Sequence, residues 1–458
     1  MQLVAYGAQD VYLTGQPKVT FFQAVYKRHT NFAMENILQT VNGTASNGGR
    51  VSVTIARNGD LVGDMYVRLQ ATTATVTTST NTGSPDTCWL AERALADIEL
   101  TIGGQRIDKH YQTWWRLYAE LFLSESEKIN YGKMTSASQP TVDTTNPSSV
   151  YLPLLFFFNR NPGLYLPLIA LQYHEVRLDF DLTSYFTSYF GTNAPFEVWA
   201  NYVYLDTEER RRFAQKGHEY LIEQVQHTGG DSITATGGTA PTAASTAQTV
   251  RLSFNHPVKE LIWCYTNTSA TANNSLWNFS TSCANVQVTC ATSPHLCLGS
   301  LPHTVGAPRM SYSNVCVTAL QTGLTSNTVT GSVMWIEEGS STQAATSAAG
   351  VEVGPLYNFK LVLNGQDRFK EQAGKYFNQY QPYQYHSGVP YPGIYCYSFA
   401  LQPEEHQPTG TCNFSRIDNA QVAINMKGNY TTALQKMFAV NYNILRIQSG
   451  MGGLAFSN

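Results

Sequence analysis

Five of the chain's eight cysteines fall between residues 264 and 316: Cys264, Cys283, Cys290, Cys297 and Cys316, with His295 and His303 among them. Thiolates and imidazoles grouped in this way could be zinc donors, but structural zinc sites pair them at Cys-x-x-Cys spacing. No such pair occurs. Unpaired thiols acting as small packing residues fit the spacing better, and no metal is expected. The adjacent carboxylates Glu208-Glu209, Glu337-Glu338 and Glu404-Glu405 could do acid–base work only on a common face. Neighbours on a strand point to opposite faces and cannot share a substrate. Asp179 and Asp181 do share a face, yet they alternate with Leu178, Phe180 and Leu182, the pattern of a solvated outer face. Gly132-Lys133 and Gly374-Lys375 lack the Ser or Thr that completes a phosphate loop, and no GxSxG, HExxH or EF-hand pattern occurs. No catalytic residue and no cofactor is assigned, and the chain is not expected to be an enzyme.

The elements that carry these residues read as β. Alternating runs recur between polar, Gly-rich breaks: "VSVTIA" (51–56), "VRLDFDL" (176–182), "VWANYVYL" (198–205) and "VAINM" (422–426). Period-2 runs of this kind predict antiparallel sheets arranged as a sandwich or barrel. One segment, "WWRLYAELFLSESEKI" (114–129), has helical spacing and is expected in a connection between strands. Segments 71–87, 135–149, 227–248 and 337–350 are rich in Thr, Ser, Gly and Ala and are expected as loops. The densest charge run, "DTEERRRFAQKGHEY" (206–220), is the expected domain join.

Only 13% of the 458 residues are charged, against 12% aromatic, and the net charge is −3. Low surface charge favours association. The absence of a basic field argues against direct nucleic-acid binding, since Lys27-Arg28-His29 and Arg210-Arg211-Arg212 are only short clusters. The start, "MQLVAYGAQDVYLTGQP", lacks the pattern of an export signal, so synthesis in the cytosol is expected. The longest apolar runs, 151–158 and 164–171, fall far short of the roughly 20 residues of a membrane span.

Two turns repeat. "LTIGGQRI" (100–107) and "LVLNGQDRF" (361–369) each run alternating apolar residues into a Gly-Gln turn. Each is followed by a strand pattern, a Pro-containing turn, a polar link and an alternating strand, at 152–182 and 393–426. The ordered series predicts two copies of one supersecondary plan.

Longer segments resemble the major capsid proteins of nucleocytoplasmic large DNA viruses, most of all those of algal viruses in the phycodnavirus and chlorovirus group. The likeness rests on "LVAYGAQDVYLTG" (3–15), "FFQAVYKRHTNFAMENI" (21–37), "RNGDLVGD" (57–64), "IELTIGGQRIDKHYQTWW" (98–115) and "LPLIALQYHEVRL" (166–178). It continues through "HEYLIEQVQ" (218–226), "LNGQDRF" (363–369), "GTCNFSRIDNA" (410–420) and "NYNILRIQSGMGGLAFSN" (441–458).

The resemblance implies an all-β double jelly roll, two eight-stranded antiparallel β-sandwiches in tandem with short helices in connections. It places an N-terminal arm at 1–25, a first jelly roll at 26–212 and a second at 213–458, with long outward loops at about 265–356. It implies a structural protein of the virion capsid, a homotrimeric capsomer of nearly hexagonal outline that packs against neighbouring capsomers in an icosahedral shell. Minor capsid proteins would be partners at the inner face, where Tyr6, Tyr12, Phe21 and Phe22 of the arm, with Tyr26 just after it, would dock. Asn267, Asn273 and Asn278, each in an Asn-x-Ser/Thr triplet, are candidates for glycosylation. A jelly-roll carbohydrate-binding protein is the alternative that the aromatic, low-charge composition also allows.

Overall fold

A computed structural model of the chain describes residues 26, 29–71, 89–135, 148–233, 247–267, 279, 354–390, 393–427 and 433–456. In the first half the strands are β1 (Phe32–Leu38), β2 (Val41–Asn42), β3 (Arg50–Thr54), β4 (Leu61–Ala71), β5 (Leu95–Ile102), β6 (Gln105–Tyr111), β7 (Ser148–Pro153), β8 (Leu166–Pro167), β9 (Val176–Leu182) and β10 (Phe196–Leu205). They form two antiparallel sheets, β1-β10-β4-β7 and β2-β3-β9-β5-β6, with β8 also on β4. In the second half they are β11 (His218–Ile233), β12 (Gln248–Leu252), β13 (Pro257–Asn267), β14 (Leu356–Leu363), β15 (Gln366–Asp367), β16 (Gln372–Ala373), β17 (Ile394–Ser398), β18 (Cys412–Asn413), β19 (Ala420–Met426), β20 (Ala433–Gln448) and β21 (Met451–Leu454). Their sheets are β11-β20-β13-β17 and β12-β19-β14-β15, with β16, β18 and β21 attached at the sides.

The two halves share one strand order. β1-β10-β4-β7 corresponds to β11-β20-β13-β17, and β3-β9-β5-β6 to β12-β19-β14-β15. Each half is an eight-stranded jelly roll. The expected alternation is present: Val176, Leu178, Phe180 and Leu182 of β9 are buried inward, as are Ala420, Val422, Ile424 and Met426 of β19.

The repeated turn is the same hairpin in both halves. Gly103-Gly104 joins β5 to β6 with φ of 59° and 82°, and Asn364-Gly365 joins β14 to β15 with 51° and 79°. Positive φ at both central residues makes a type I′ turn, whose twist matches the flanking strands. Gly tolerates that region freely and Asn better than most residues. Equivalence extends to the anchoring. The Gly103 N–H donates to Glu175 O at 3.0 Å and the Asn364 N–H to Asn419 O at 2.7 Å, in each case the residue before the neighbouring strand.

The single helix expected at 114–129 is two helices, α1 (Gln112–Leu121) and α2 (Glu125–Thr135). The break is a capping box. Glu127 Oε2 accepts from Ser124 N at 2.9 Å, and Ser124 Oγ accepts from Glu127 N at 3.4 Å, so Ser124 starts a new helix. Among the described residues four shorter helices follow: α3 (Phe157–Arg160), α4 (Phe186–Phe190), α5 (Thr207–Gln215) and α6 (Gln381–Tyr385), the last entered through a π-helical turn at Tyr376–Tyr380. Of the expected loops, 227–233 is instead the end of β11, bent by a register shift between His227 and Gly230. Most of the other loop positions lie outside the described residues.

The cores do not divide where the sheets do. One cluster, with Trp263, Phe359, Phe377, Tyr395 and Met437, fills the second sandwich. The other fills the first sandwich with Trp89, Trp115, Phe156, Phe180 and Tyr202, then continues into Ile222, Ile262, Cys264, Phe438 and Val440 of the second half. Sheet β11-β20-β13-β17 is therefore covered on both faces: Leu261, Trp263 and Tyr265 of β13 point to one core, Ile262 and Cys264 to the other.

The two glycines of the first turn separate backbone freedom from space. At Gly104 nothing lies within 4 Å of an added Cβ, whereas at Gly103 it would strike the His174 ring. Gly104→Asn should cost about 1 kcal/mol or less, and Gly103→Asn about 1–3 kcal/mol, read from denaturant midpoints of the two variants. Equal costs would contradict the steric account.

Candidate functional site

A seam between the halves is built from α1, the end of β6, α3 and the outer face of β11-β20-β13-β17. The chain leaves β6 at Tyr111 and enters α1 with Trp114, Trp115, Leu117 and Leu121 all buried. Trp114 reaches Phe438 of β20, ring centroids 5.7 Å apart. His227 stacks on Phe438 at 4.4 Å, and Tyr111 meets His227 at 4.9 Å. Burial holds the His227 imidazole below its ordinary pKa.

Charges close the seam around Glu223 of β11. Its carboxylate lies 2.6 Å from Lys259 Nζ, 3.0 Å from Arg160 Nη2 of α3, and 3.6 Å from His406. Burial pushes this carboxyl up, but His406, Lys259 and Arg160 together outweigh it and bring it down to about 2. Beside it, Asp108 Oδ1 of β6 accepts from Val225 N at 3.1 Å, its Oδ2 lies 2.9 Å from His110 Nε2, and the Gln224 side chain donates to Ile107 O. The Gln of the first repeated turn also works here: Gln105 Oε1 accepts from Leu454 N of β21 at 3.2 Å. A cleft of ≈ 400 Å³ lined by Tyr118, Arg160, Glu223 and His406 opens along this seam.

A second buried charge group lies within the first half. Arg116 of α1 sits between Glu92 at 3.3 Å and Glu120 at 3.0 Å, with its guanidinium 4.0 Å over the Trp89 ring and Tyr131 donating to Glu92 at 2.6 Å. These groups are enclosed, so they tie α1, α2 and the 90–93 turn together rather than presenting reactive atoms. Among the described residues no group of three or more His, Cys, Asp or Glu is placed to hold a metal. Cys264, Cys396 and Cys412 are free thiols, and the other five cysteines lie outside the described residues.

The remaining sequence candidates separate. Asp179 is on the outer sheet face as expected but is not solvated. Arg177 at 2.8 Å and Arg50 at 3.6 Å cover it, leaving it 6% exposed. Glu208 and Glu209 lie in the first turn of helix α5, not on a strand, where carboxylates oppose the helix dipole favourably. Arg210 is anchored, donating to Asp60 at 2.7 Å. Tyr26 is 94% exposed. Tyr6, Tyr12, Phe21, Phe22, Asn273 and Asn278 lie outside the described residues, as does the side chain of Asn267 at the end of β13.

Sequence reasoning missed the exposed apolar surface. On the edge strand β1, Phe32, Met34 and Leu38 are each about half exposed on alternating positions, and Tyr380 of the π-helical turn and Tyr383 of α6 are exposed as well. An uncovered apolar edge strand is a pairing surface. Alternation in "FAMENIL" was the available signal.

Comparison with known proteins agrees with this architecture. Residues 20–206 match the family described as "Major capsid protein N-terminus", and 209–453 the family described as "Large eukaryotic DNA virus major capsid protein". The chain is 42% identical to a major capsid protein of Paramecium bursaria Chlorella virus 1 and 39% identical to one of Phaeocystis pouchetii virus, in each case over 100% of this chain and 99% of the relative. Among solved structures, a chain of the PBCV-1 virus capsid quasi-atomic model superposes with a TM-score of 0.71 at 38% identity, covering 96% of this chain and 100% of that one. The Faustovirus major capsid protein, 11% identical, shares the fold at a TM-score of 0.61, covering 97% and 94%.

Because the folded pKa of Glu223 lies below its unfolded value, the stability it contributes is present above the ordinary carboxylate range and lost as pH falls toward about 2. Glu223→Gln should cost about 3 kcal/mol at neutral pH and flatten the acid limb of the stability curve. Urea unfolding from pH 7 down to pH 3 measures both. An acid limb as steep as that of the unaltered chain would exclude Glu223 as its source.

Proposed function

Because the chain belongs to the major capsid proteins of large eukaryotic DNA viruses, we propose that three copies close into a capsomer of nearly hexagonal outline, and that such capsomers tile an icosahedral shell. The chain's role in the virion capsid is structural. The observation that carries the trimer is the repetition of one strand order in both halves. Two similar lobes in each of three copies give six, so one gene product can pack as a hexagon. The reading assigns no catalytic step and no cofactor.

The division into an arm at 1–25, a first jelly roll at 26–212 and a second at 213–458 belongs to the same reading, supported by sheets that stay within 32–205 and 218–454. The exposed face of β1 and the exposed Tyr380 and Tyr383 are surfaces available for contacts between copies. The arm, with Tyr6, Tyr12, Phe21 and Phe22, and with Tyr26 just after it, would dock at the inner base, where minor capsid proteins are the proposed partners. The expected loop bounds of 265–356 are too wide, since Tyr265 is buried in β13, which runs to Asn267, and Leu356 is buried at the start of β14; the outward loops would belong to the connection between those two strands, with Asn267, Asn273 and Asn278 as positions for attached sugar.

Light scattering after gel filtration tests the reading. The full chain should run as one species near three times 50.7 kDa. A chain lacking residues 1–20 should still run at three times its own, smaller mass but yield fewer particles. A stable monomer of the full chain, at the concentrations where capsomers assemble, would refute the trimer.

A further inference from the structure

The connections between the sixth and seventh strands of the two jelly rolls meet at one place. In the first half this connection holds α1 and α2; in the second it holds α6 and the turn that follows, residues 386–390. That turn is fastened at both ends. His386, its side chain fully buried, lies between two carboxylates: Glu260 Oε2 of β13 is 3.0 Å from Nε2, and Glu404 Oε1 is 3.3 Å from Nδ1. Ser387 adds its N–H to Glu404 at 2.7 Å and its hydroxyl to the other oxygen. Two residues on, the chain grips the other jelly roll. Gly388 N–H donates to Leu121 O at the end of α1 at 2.9 Å, and Lys128 Nζ of α2 donates to Val389 O at 3.0 Å. Phe122 closes over the imidazole edge-on at 5.0 Å. A Cβ at Gly388 would strike the Glu120 carbonyl, so the two backbones are in contact there.

The geometry points to residues 386–390 as a strap that fixes the second jelly roll against the first, with His386 as its latch: closed while the imidazole is protonated, released in alkaline solution. The strap is a property of the single chain and does not depend on the proposed trimer.

Several groups surround the latch. Glu260 faces it from β13, Glu404 from the 399–411 turn and the Cys396 thiol from β17, while Glu120 and Lys128, 3.7 Å apart, lie on the α1–α2 side. Glu260 is fully enclosed, so loss of the imidazolium leaves it as a buried charge without that partner, a costly arrangement. Burial alone would make His386 give up its proton easily, but Glu260 and Cys396 together outweigh burial and hold it well above the ordinary imidazole range. Glu404 lies below the ordinary carboxylate range, although burial opposes this, because His386 and Ser387 bond to it. The latch therefore contributes fully below about pH 6.5 on the His386 side and is lost as pH rises through the raised value. On the acid side it is lost only as pH falls through the lowered value of Glu404.

Hydrogen–deuterium exchange on the full chain, expressed as protection factors to remove the intrinsic pH dependence, tests this at 386–390 and at 121–123. Protection in the unaltered protein should fall about tenfold or more between about pH 7 and pH 10. His386→Gln should be unprotected there at pH 7 with no further fall. Gly388→Ala should lose protection at both segments at every pH. Flat protection in the unaltered protein up to pH 10 would overturn the latch, and that profile decides the matter even where a variant fails to fold. Full protection at 121–123 in Gly388→Ala would overturn the strap.

Discussion

The relation between the two halves depends on one sheet, β11-β20-β13-β17, having both of its faces covered. Each large apolar side chain buried on the seam, such as Ile262 or Phe438, contributes about 1.5–3 kcal/mol relative to exposure. That gain has a structural consequence. Polar residues that an ordinary sandwich would turn to water, among them Glu223, Gln224, Lys259, Glu260, Asn441 and Asn443, are enclosed as well. Each needs a partner inside the protein. Two of these partners come from the first jelly roll: Arg160 for Glu223, and Ile107 O for Gln224. Buried ion pairs add little net stability but penalise misplacement, because a shifted half leaves charges unpaired. Hydrophobic burial holds the halves together, and the charges fix where they sit.

The same logic explains what the repeated turns do beyond turning. Gly-Gly and Asn-Gly supply the backbone that a type I′ hairpin requires in each jelly roll. Only the first Gln reaches the seam, where Gln105 accepts from Leu454; Gln366 is exposed. Two copies of one plan have diverged where they touch. The first copy supplies helices α1 and α2 from its connection, the second supplies the 386–390 turn, and the two connections bond to each other.

Much of the fold was legible because strands with one wet face alternate. β9 and β19 follow that rule, and so does the paired Gly-Gln turn. The doubly covered sheet was not legible in the same way: "KELIWCY" has no alternation because no face of β13 is free. Gly229-Gly230 looks like a loop, yet it is the bend of β11, where a register shift accommodates it. The break between α1 and α2 was present in "SESE" as a capping box, hidden by the apolar spacing that runs across it. His386 offered no signal at all. Its two carboxylates lie 126 and 18 residues away in sequence, and only the fold brings them to the imidazole.

Scanning calorimetry of the whole chain tests the shared sheet most directly. A seam that is part of the first core predicts one transition, with calorimetric and van't Hoff enthalpies equal. Two resolved transitions, one for each jelly roll, would contradict it, because the covered face of β11-β20-β13-β17 would then contribute nothing that the separate sandwiches lack.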